Sequence, residues 1–73
     1  MSKKQATILR ANILGGMNAY VLDVIGDELG TEIWFQCGVP DGADEEMLME
    51  IAEDEKEFQR ITKWFYHILD TYC

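Results

Sequence analysis

The sequence predicts a small all-α domain of three or four helices, with the C-terminal helix as its spine. The length of 73 residues and the hydrophobic share of 48% indicate one globular domain, residues 1–73, with a core only just sufficient for its size. Breaks rich in Gly, Pro and Asp divide the chain into helix-length segments. Near the C terminus, large apolar residues recur at gaps of three and four, within about 80° of one another on a helix: Phe58, Ile61, Phe65, Ile68 and Tyr72.

Residues 4–26 predict the first helix. Gly15 and Gly16 interrupt the run, and each costs about 1 kcal/mol relative to alanine within a helix. Three explanations are open. Trp64 or Phe65 could pack closely against the glycines, the helix could kink there, or it could end at Gly15 and be followed by a strand over residues 19–25. The predicted inner face consists of Ala6, Leu9, Ile13, Gly16, Tyr20 and Val24, widened by Leu14, Met17, Val21 and Ile25.

Residues 28–37 fit two interpretations. As a helix, the segment places Leu29, Ile33 and Cys37 on its inner face, and Gly38 with Pro40 ends it. As a strand, residues 31–39 pair with residues 19–25 in a hairpin, which gives an α+β fold of helix, β-hairpin and helix. The helix is favoured because an isolated two-stranded ribbon is only marginally stable.

A turn over residues 39–43 precedes a short helix over residues 45–53, which Asp44 caps. Asp54 and Glu57 have the spacing of a capping box at the start of the last helix, residues 54–73. Whether the two helices form one unbroken helix stays open. The predicted inner face of the short helix consists of Met47, Leu48, Ile51 and Ala52.

Charge and cysteine content bear on partners and compartment. The formal net charge of −8 disfavours nucleic acid and anionic membranes and favours basic partners. Cys37 and Cys73 are too few for a disulfide-stabilised secreted domain, so free thiols in a reducing cytoplasm are expected. The apolar run that follows Lys3 and Lys4 is not expected to be an export signal, because polar residues interrupt it: Arg10, Asn12, Asn18 and Asp23.

Three short segments resemble a group of short acidic proteins of bacterial genomes and mobile elements. They are Ile-Gly-Asp-Glu at 25–28, Gly-Val-Pro-Asp-Gly-Ala at 38–43, and Ile-Ala-Glu-Asp-Glu at 51–55 with Phe58 behind it. The resemblance covers roughly residues 20–69. It implies a helix over residues 28–38 and brings no catalytic residues.

The sharpest candidate for function is a row of carboxylates at Glu46, Glu50, Glu53 and Glu57. If one helix carries them, they share a face with a rise of about 6 Å per step, close to the roughly 7 Å between phosphates of one nucleic-acid strand. Together with Asp54 they suggest a docking surface for a basic protein. A phage or mobile-element inhibitor that mimics nucleic acid, as some anti-CRISPR proteins do, would have this size and charge. The alternative is a solvated face that keeps the chain soluble.

Aromatic residues suggest a second kind of surface. Trp34, Phe35 and Tyr66 do not all fit the inner faces of their helices. They form either the edge of the core or an exposed patch that anchors a partner or a second copy of the chain. The alternative function is therefore a homo-oligomerising or adaptor module.

No enzymatic activity, metal or cofactor is predicted. His67 is the only histidine, and a metal site with Asp70 and Cys73 would lack a fourth ligand. Cys37 and His67 have no motif of a nucleophile and its base. Counted from Asp41, the loop before the third helix fails the calcium-binding pattern, because residue 46 is Glu and residue 52 is Ala.

Overall fold

The computed structural model describes residues 1–40 and 42–72, which form four helices: α1 Lys3–Ile25, α2 Asp27–Gln36, α3 Glu45–Glu53 and α4 Glu55–Tyr72. No strand occurs among these residues. The all-α prediction is confirmed, and both the hairpin over residues 19–39 and the strand after Gly15 are wrong.

Helix α1 contacts each of the other three helices. Its first turn is closed by a capping box, in which the Ser2 hydroxyl accepts from the Gln5 amide at 3.1 Å and the Gln5 side chain accepts from the Ser2 amide at 2.9 Å. The helix runs through Gly15 and Gly16 and ends at Gly26, whose φ of 111° is a backbone conformation that L side chains rarely adopt. Neither Trp64 nor Phe65 lies against the two glycines; Gly15 instead faces Leu48.

Helix α4 supplies two of the most completely buried side chains, Ile61 and Ile68, which are 1% and 0% exposed. Phe58 and Phe65 are partly buried against the same core, whereas Tyr72 at the helix end is 50% exposed. The predicted stripe therefore faces the core at four of its five positions. The central place expected for α4 is shared with α1, since α1 touches every other helix.

The inner face predicted for α1 is wrong along its central line and right at Leu14, Met17 and Val21, which are buried. Leu9, Ile13, Tyr20 and Val24 are each 42–48% exposed. Both faces of α1 are apolar, and the other helices cover only one of them. That buried face consists of Thr7, Ala11, Leu14, Met17 and Val21.

Helix α2 is rotated relative to the prediction. Leu29 is 45% exposed, while Gly30, Ile33 and Trp34 are buried together with Cys37. The helices approach most closely at Gly30, where a Cβ would stand 2.9 Å from the Leu22 Cδ2 atom and 3.4 Å from the Leu22 Cα atom. The missing side chain lets α2 approach α1 along this face and turns Trp34 inward.

The chain breaks between α3 and α4 at Asp54, whose φ of −89° and ψ of 103° are extended. The Asp54 Oδ1 atom accepts from the amides of Lys56 at 3.0 Å and Glu57 at 3.3 Å, and so caps α4. The unbroken helix across this junction does not form. On α3, Ala52 is buried, Leu48 and Ile51 are partly buried, and Met47, predicted inside, is 37% exposed.

Candidate partner-binding surfaces

The acidic surface consists of the carboxylates predicted to bind a partner: Glu46, Glu50 and Glu53 on α3, Asp54 at the junction, and Glu57 on α4. Because the helix breaks at Asp54, the regular row covers only the three glutamates of α3. All three are exposed. They occupy the outer face of α3, opposite the fully buried Ala52.

Two of the five carboxylates already have partners within the chain. The Asp54 carboxylate accepts hydrogen bonds from two backbone amides in the first turn of α4. Glu57 accepts from Arg60 through both carboxylate oxygens, at 3.2 Å and 2.6 Å, and this hydrogen bond lowers the pKa of Glu57. The Arg60–Glu57 pair is the one ion pair among residues 1–40 and 42–72. The glutamates of α3 are thus the carboxylates left for a partner.

Basic side chains border the acidic surface at the C-terminal end of α3. The Arg10 Nε atom donates to the Ala52 carbonyl at 2.8 Å, at the C-terminal end of α3, where the helix dipole favours a cation. A groove beside it is lined by lysines and by acids of the junction, so the surface has mixed charge there: Lys3, Lys4, Arg10, Glu53 and Glu55. The uniformly acidic part is confined to the outer face of α3.

The predicted aromatic patch is only partly exposed. Trp34 is 3% exposed and its ring is nearly parallel to that of Phe65, with centroids 6.4 Å apart. Its assignment to a partner-binding site is wrong, because the rotation of α2 at Gly30 carries it into the core. Phe35 is 68% exposed and Tyr66 is 61% exposed.

A second exposed surface was missed because the periodicity assigned it to the core. The apolar α1 face consists of Leu9, Ile13, Gly16, Tyr20 and Val24. Tyr20 meets the edge of Phe65 at a centroid distance of 6.1 Å, and Phe65 in turn meets Tyr66 at 6.0 Å. The face therefore continues onto α4. The available signal was that α1 is apolar on two faces, whereas one core needs only one.

The candidate nucleophile is buried. The Cys37 thiol donates to the Trp34 carbonyl at 3.1 Å, and burial raises its pKa. His67 is exposed and lies against Trp64, with ring centroids 5.2 Å apart. Cys73, a member of the metal site considered above and predicted to be a free thiol, lies outside the described residues. Within those residues, no three His, Cys, Asp or Glu side chains form a metal-binding group.

The chain matches no protein-family model, no curated protein and no solved structure at a significant level.

Proposed function

We propose that the chain is a non-enzymatic, cytoplasmic acidic protein that docks on a basic protein surface through the outer face of α3. The observation that carries the proposal is the set of three exposed glutamates, Glu46, Glu50 and Glu53, none of which forms an ion pair within the described residues. They stand on a short helix whose N-cap is Asp44, a further acid. The Asp44 carboxylate accepts from the Met47 amide at 2.9 Å, so the three glutamates supply the charge that a partner would meet.

The energetics favour a cationic partner. Carboxylates four residues apart on a helix repel each other, at a cost of a few tenths of a kcal/mol per pair. A basic surface would relieve this repulsion and replace it with attraction. The net charge of −8 would also steer encounter with such a surface and raise the association rate at low salt.

A narrower form of the proposal is a nucleic-acid mimic, an inhibitor from a phage or mobile element that occupies the nucleic-acid channel of its target. Glu46 and Glu50 are separated by about 6 Å of helix rise, near the roughly 7 Å between phosphates. The break at Asp54 limits this regular spacing to α3. The mimic would therefore imitate two or three phosphates and depend on the surrounding acids for the rest of its affinity.

The test compares two variants with the same change in net charge. Glu46→Gln/Glu50→Gln/Glu53→Gln removes the α3 carboxylates and takes the charge from −8 to −5. Asp23→Asn/Glu32→Gln/Asp70→Asn removes three exposed carboxylates elsewhere and also gives −5. Each protein is immobilised and used to capture its partner from cell extract at about 50 and 200 mM salt, with and without competing DNA.

The proposal predicts a partner that the wild type and the control retain and the α3 variant loses. Binding should weaken steeply with salt, and for a nucleic-acid mimic DNA should displace the partner. Equal loss by both variants would mean that net charge alone attracts the partner. Salt-insensitive binding would contradict the docking proposal, and a complex that binds DNA at the same time would contradict the mimic.

A second candidate, an adaptor module, is favoured by the exposure of Phe35 and Tyr66. Large aromatic side chains on a surface commonly anchor partners. The variant Phe35→Ala/Tyr66→Ala would then lose a partner that survives high salt, while the α3 glutamine variant would keep it. The reverse pattern would exclude the adaptor.

A further inference from the structure

We infer that the apolar α1 face is the interface of a homodimer, in which α1 packs antiparallel against α1 of a second copy. The inference is independent of the acidic docking proposed above and uses a different surface. It starts from a mismatch between composition and burial. Helix α1 is long and apolar enough to cross a membrane by those criteria alone, yet only 22% of its most apolar 18-residue window is buried within the chain.

The order of residues along the face fits a copy of itself. In an antiparallel pair that crosses between residues 14 and 15, Leu9 lies opposite Tyr20 of the second copy, and Ile13 lies opposite Gly16 of the second copy. Both relationships repeat by the two-fold axis, as an isologous interface requires. The crossing point is close to the middle of Lys3–Ile25, so the two helices would overlap along nearly their full length.

Gly16 gives this pairing its shape. Outside the backbone of its own helix, no atom of residues 1–40 and 42–72 lies within 4 Å of the position that a Cβ would occupy there, and its φ is not positive. Neither backbone conformation nor packing within the chain requires a glycine, although glycine costs about 1 kcal/mol in a helix interior. In the antiparallel pair the missing side chain leaves room for Ile13 of the second copy, a large residue against a small one.

Charge at the ends of α1 supports the antiparallel direction. Lys3 and Lys4 stand at its N-terminal end, beside the apolar α1 face and next to the groove that they line with Glu53. Asp23, Asp27 and Glu28 stand at or just beyond the C-terminal end. Antiparallel packing brings each basic end to an acidic end of the second copy. A parallel pair would instead place like charges together, which is unfavourable in a chain with a net charge of −8.

The available area is also adequate. Helix α1 has a length of about 34 Å at 1.5 Å per residue, which matches the 35 Å long axis of the molecule. At a helix diameter of about 10 Å, α1 alone offers on the order of 350 Å² per copy. A contact that also covers the adjacent α4 is about 20 Å wide and offers on the order of 700 Å², near the roughly 800 Å² of a standard stable interface. The continuation through Tyr20 and Phe65 to Tyr66 supplies part of that width.

The experiment measures the molar mass of the full chain by sedimentation equilibrium from about 1 to 300 µM. Gly16→Leu fills the gap and should weaken dimerisation at least about tenfold, with unchanged helicity, because the space is open in the single chain. Gly15→Ala is the matched control. It changes the neighbouring glycine, gains similar helix propensity and lies off the face, where a Cβ would be 3.7 Å from Leu48. Lys3→Glu/Lys4→Glu tests the direction of packing.

The wild type and the Gly15→Ala variant should approach twice the chain mass of 8.4 kDa. The Gly16→Leu variant should stay near the mass of a single chain. The Lys3→Glu/Lys4→Glu variant should dimerise more weakly than the wild type. A wild type that stays monomeric throughout would overturn the inference. So would a dimer that Gly16→Leu does not weaken, because its interface would then be elsewhere. A dimer that Gly16→Leu weakens and the charge reversal does not would contradict the antiparallel direction. A monomer that instead binds zwitterionic lipid vesicles through Ile13 would also overturn the inference.

Discussion

Leu22 occupies the space beside Gly30 in which another residue would place its side chain. A Cβ at Gly30 would stand 2.9 Å from Leu22 Cδ2 and 3.4 Å from Leu22 Cα. This contact sets the distance between α1 and α2, and with it the rotation that buries Trp34.

The contact predicts opposite effects for two substitutions of the same kind. Gly30→Ala should lower the free energy of unfolding by about 1 kcal/mol, since overpacking costs about 1–3 kcal/mol and helix propensity returns about 1 kcal/mol. Gly16→Ala, with open space around it, should raise it by about 0.5–1 kcal/mol. Urea denaturation of both variants at low protein concentration checks the pair. Equal stabilisation would show that α2 does not pack closely at Gly30.

The Glu57–Arg60 pair predicts a small dependence of stability on pH. Arg60 donates to Glu57 and also to the Cys37 carbonyl at 2.6 Å, which ties α4 to the end of α2. The hydrogen bond from Arg60 lowers the pKa of Glu57. A lowered carboxyl pKa contributes stability that is present above the pKa of the unfolded chain and is lost as pH falls through the folded value.

Glu57→Gln should therefore be less stable than the wild type near about pH 6, and the difference should shrink towards about pH 3. Because the pair is half exposed, the difference should be small. Glu55→Gln is the control, because Glu55 is an exposed acid of the same helical turn and forms no ion pair among the described residues. If Glu57→Gln were as stable as the wild type at every pH, the Glu57–Arg60 pair would contribute nothing to stability.

Burial of Cys37 predicts that its thiol reacts slowly with a disulfide reagent. In a Cys73→Ser variant, which leaves Cys37 as the remaining cysteine, a disulfide reagent near about pH 8 should react at least about a hundredfold more slowly with the native chain than with the chain in urea. The raised pKa and the exclusion of the reagent from the core both slow the reaction. If Cys37 reacted as fast in the native chain as in the unfolded chain, it would lie at the surface and would again be a candidate nucleophile.

The helical class and most element bounds follow from local signals. The three- and four-residue spacing of Ile61 and Ile68 predicts α4, and Gly38 with Pro40 ends α2 near the predicted place. Asp44 and Asp54 are N-caps, as their residue type suggests. These features depend on contacts within one or two helical turns, which the sequence contains directly.

What the sequence does not determine is which face of a helix the others cover. On α1 the more apolar face is exposed and the face with Thr7 and Ala11 is buried. On α2 the rotation depends on the contact between Gly30 and Leu22, which are on different helices. The candidate sites depend on the same choice of face. The sequence suggests Trp34 for a binding surface, and it lies in the core; it suggests the apolar α1 face for the core, and that face lies on the surface.

The substitutions Leu14→Ala and Ile13→Ala compare the two faces of α1, one covered by the other helices and one exposed. The side chains are adjacent in sequence, but Leu14 is 3% exposed and Ile13 is 42% exposed. Both are measured by urea denaturation in the Gly16→Leu background at low protein concentration, where the weakened dimer dissociates. Leu14→Ala should cost about 2–4 kcal/mol or abolish cooperative unfolding, and Ile13→Ala should cost less than about 1 kcal/mol. An Ile13→Ala variant that loses as much stability as Leu14→Ala would contradict the account.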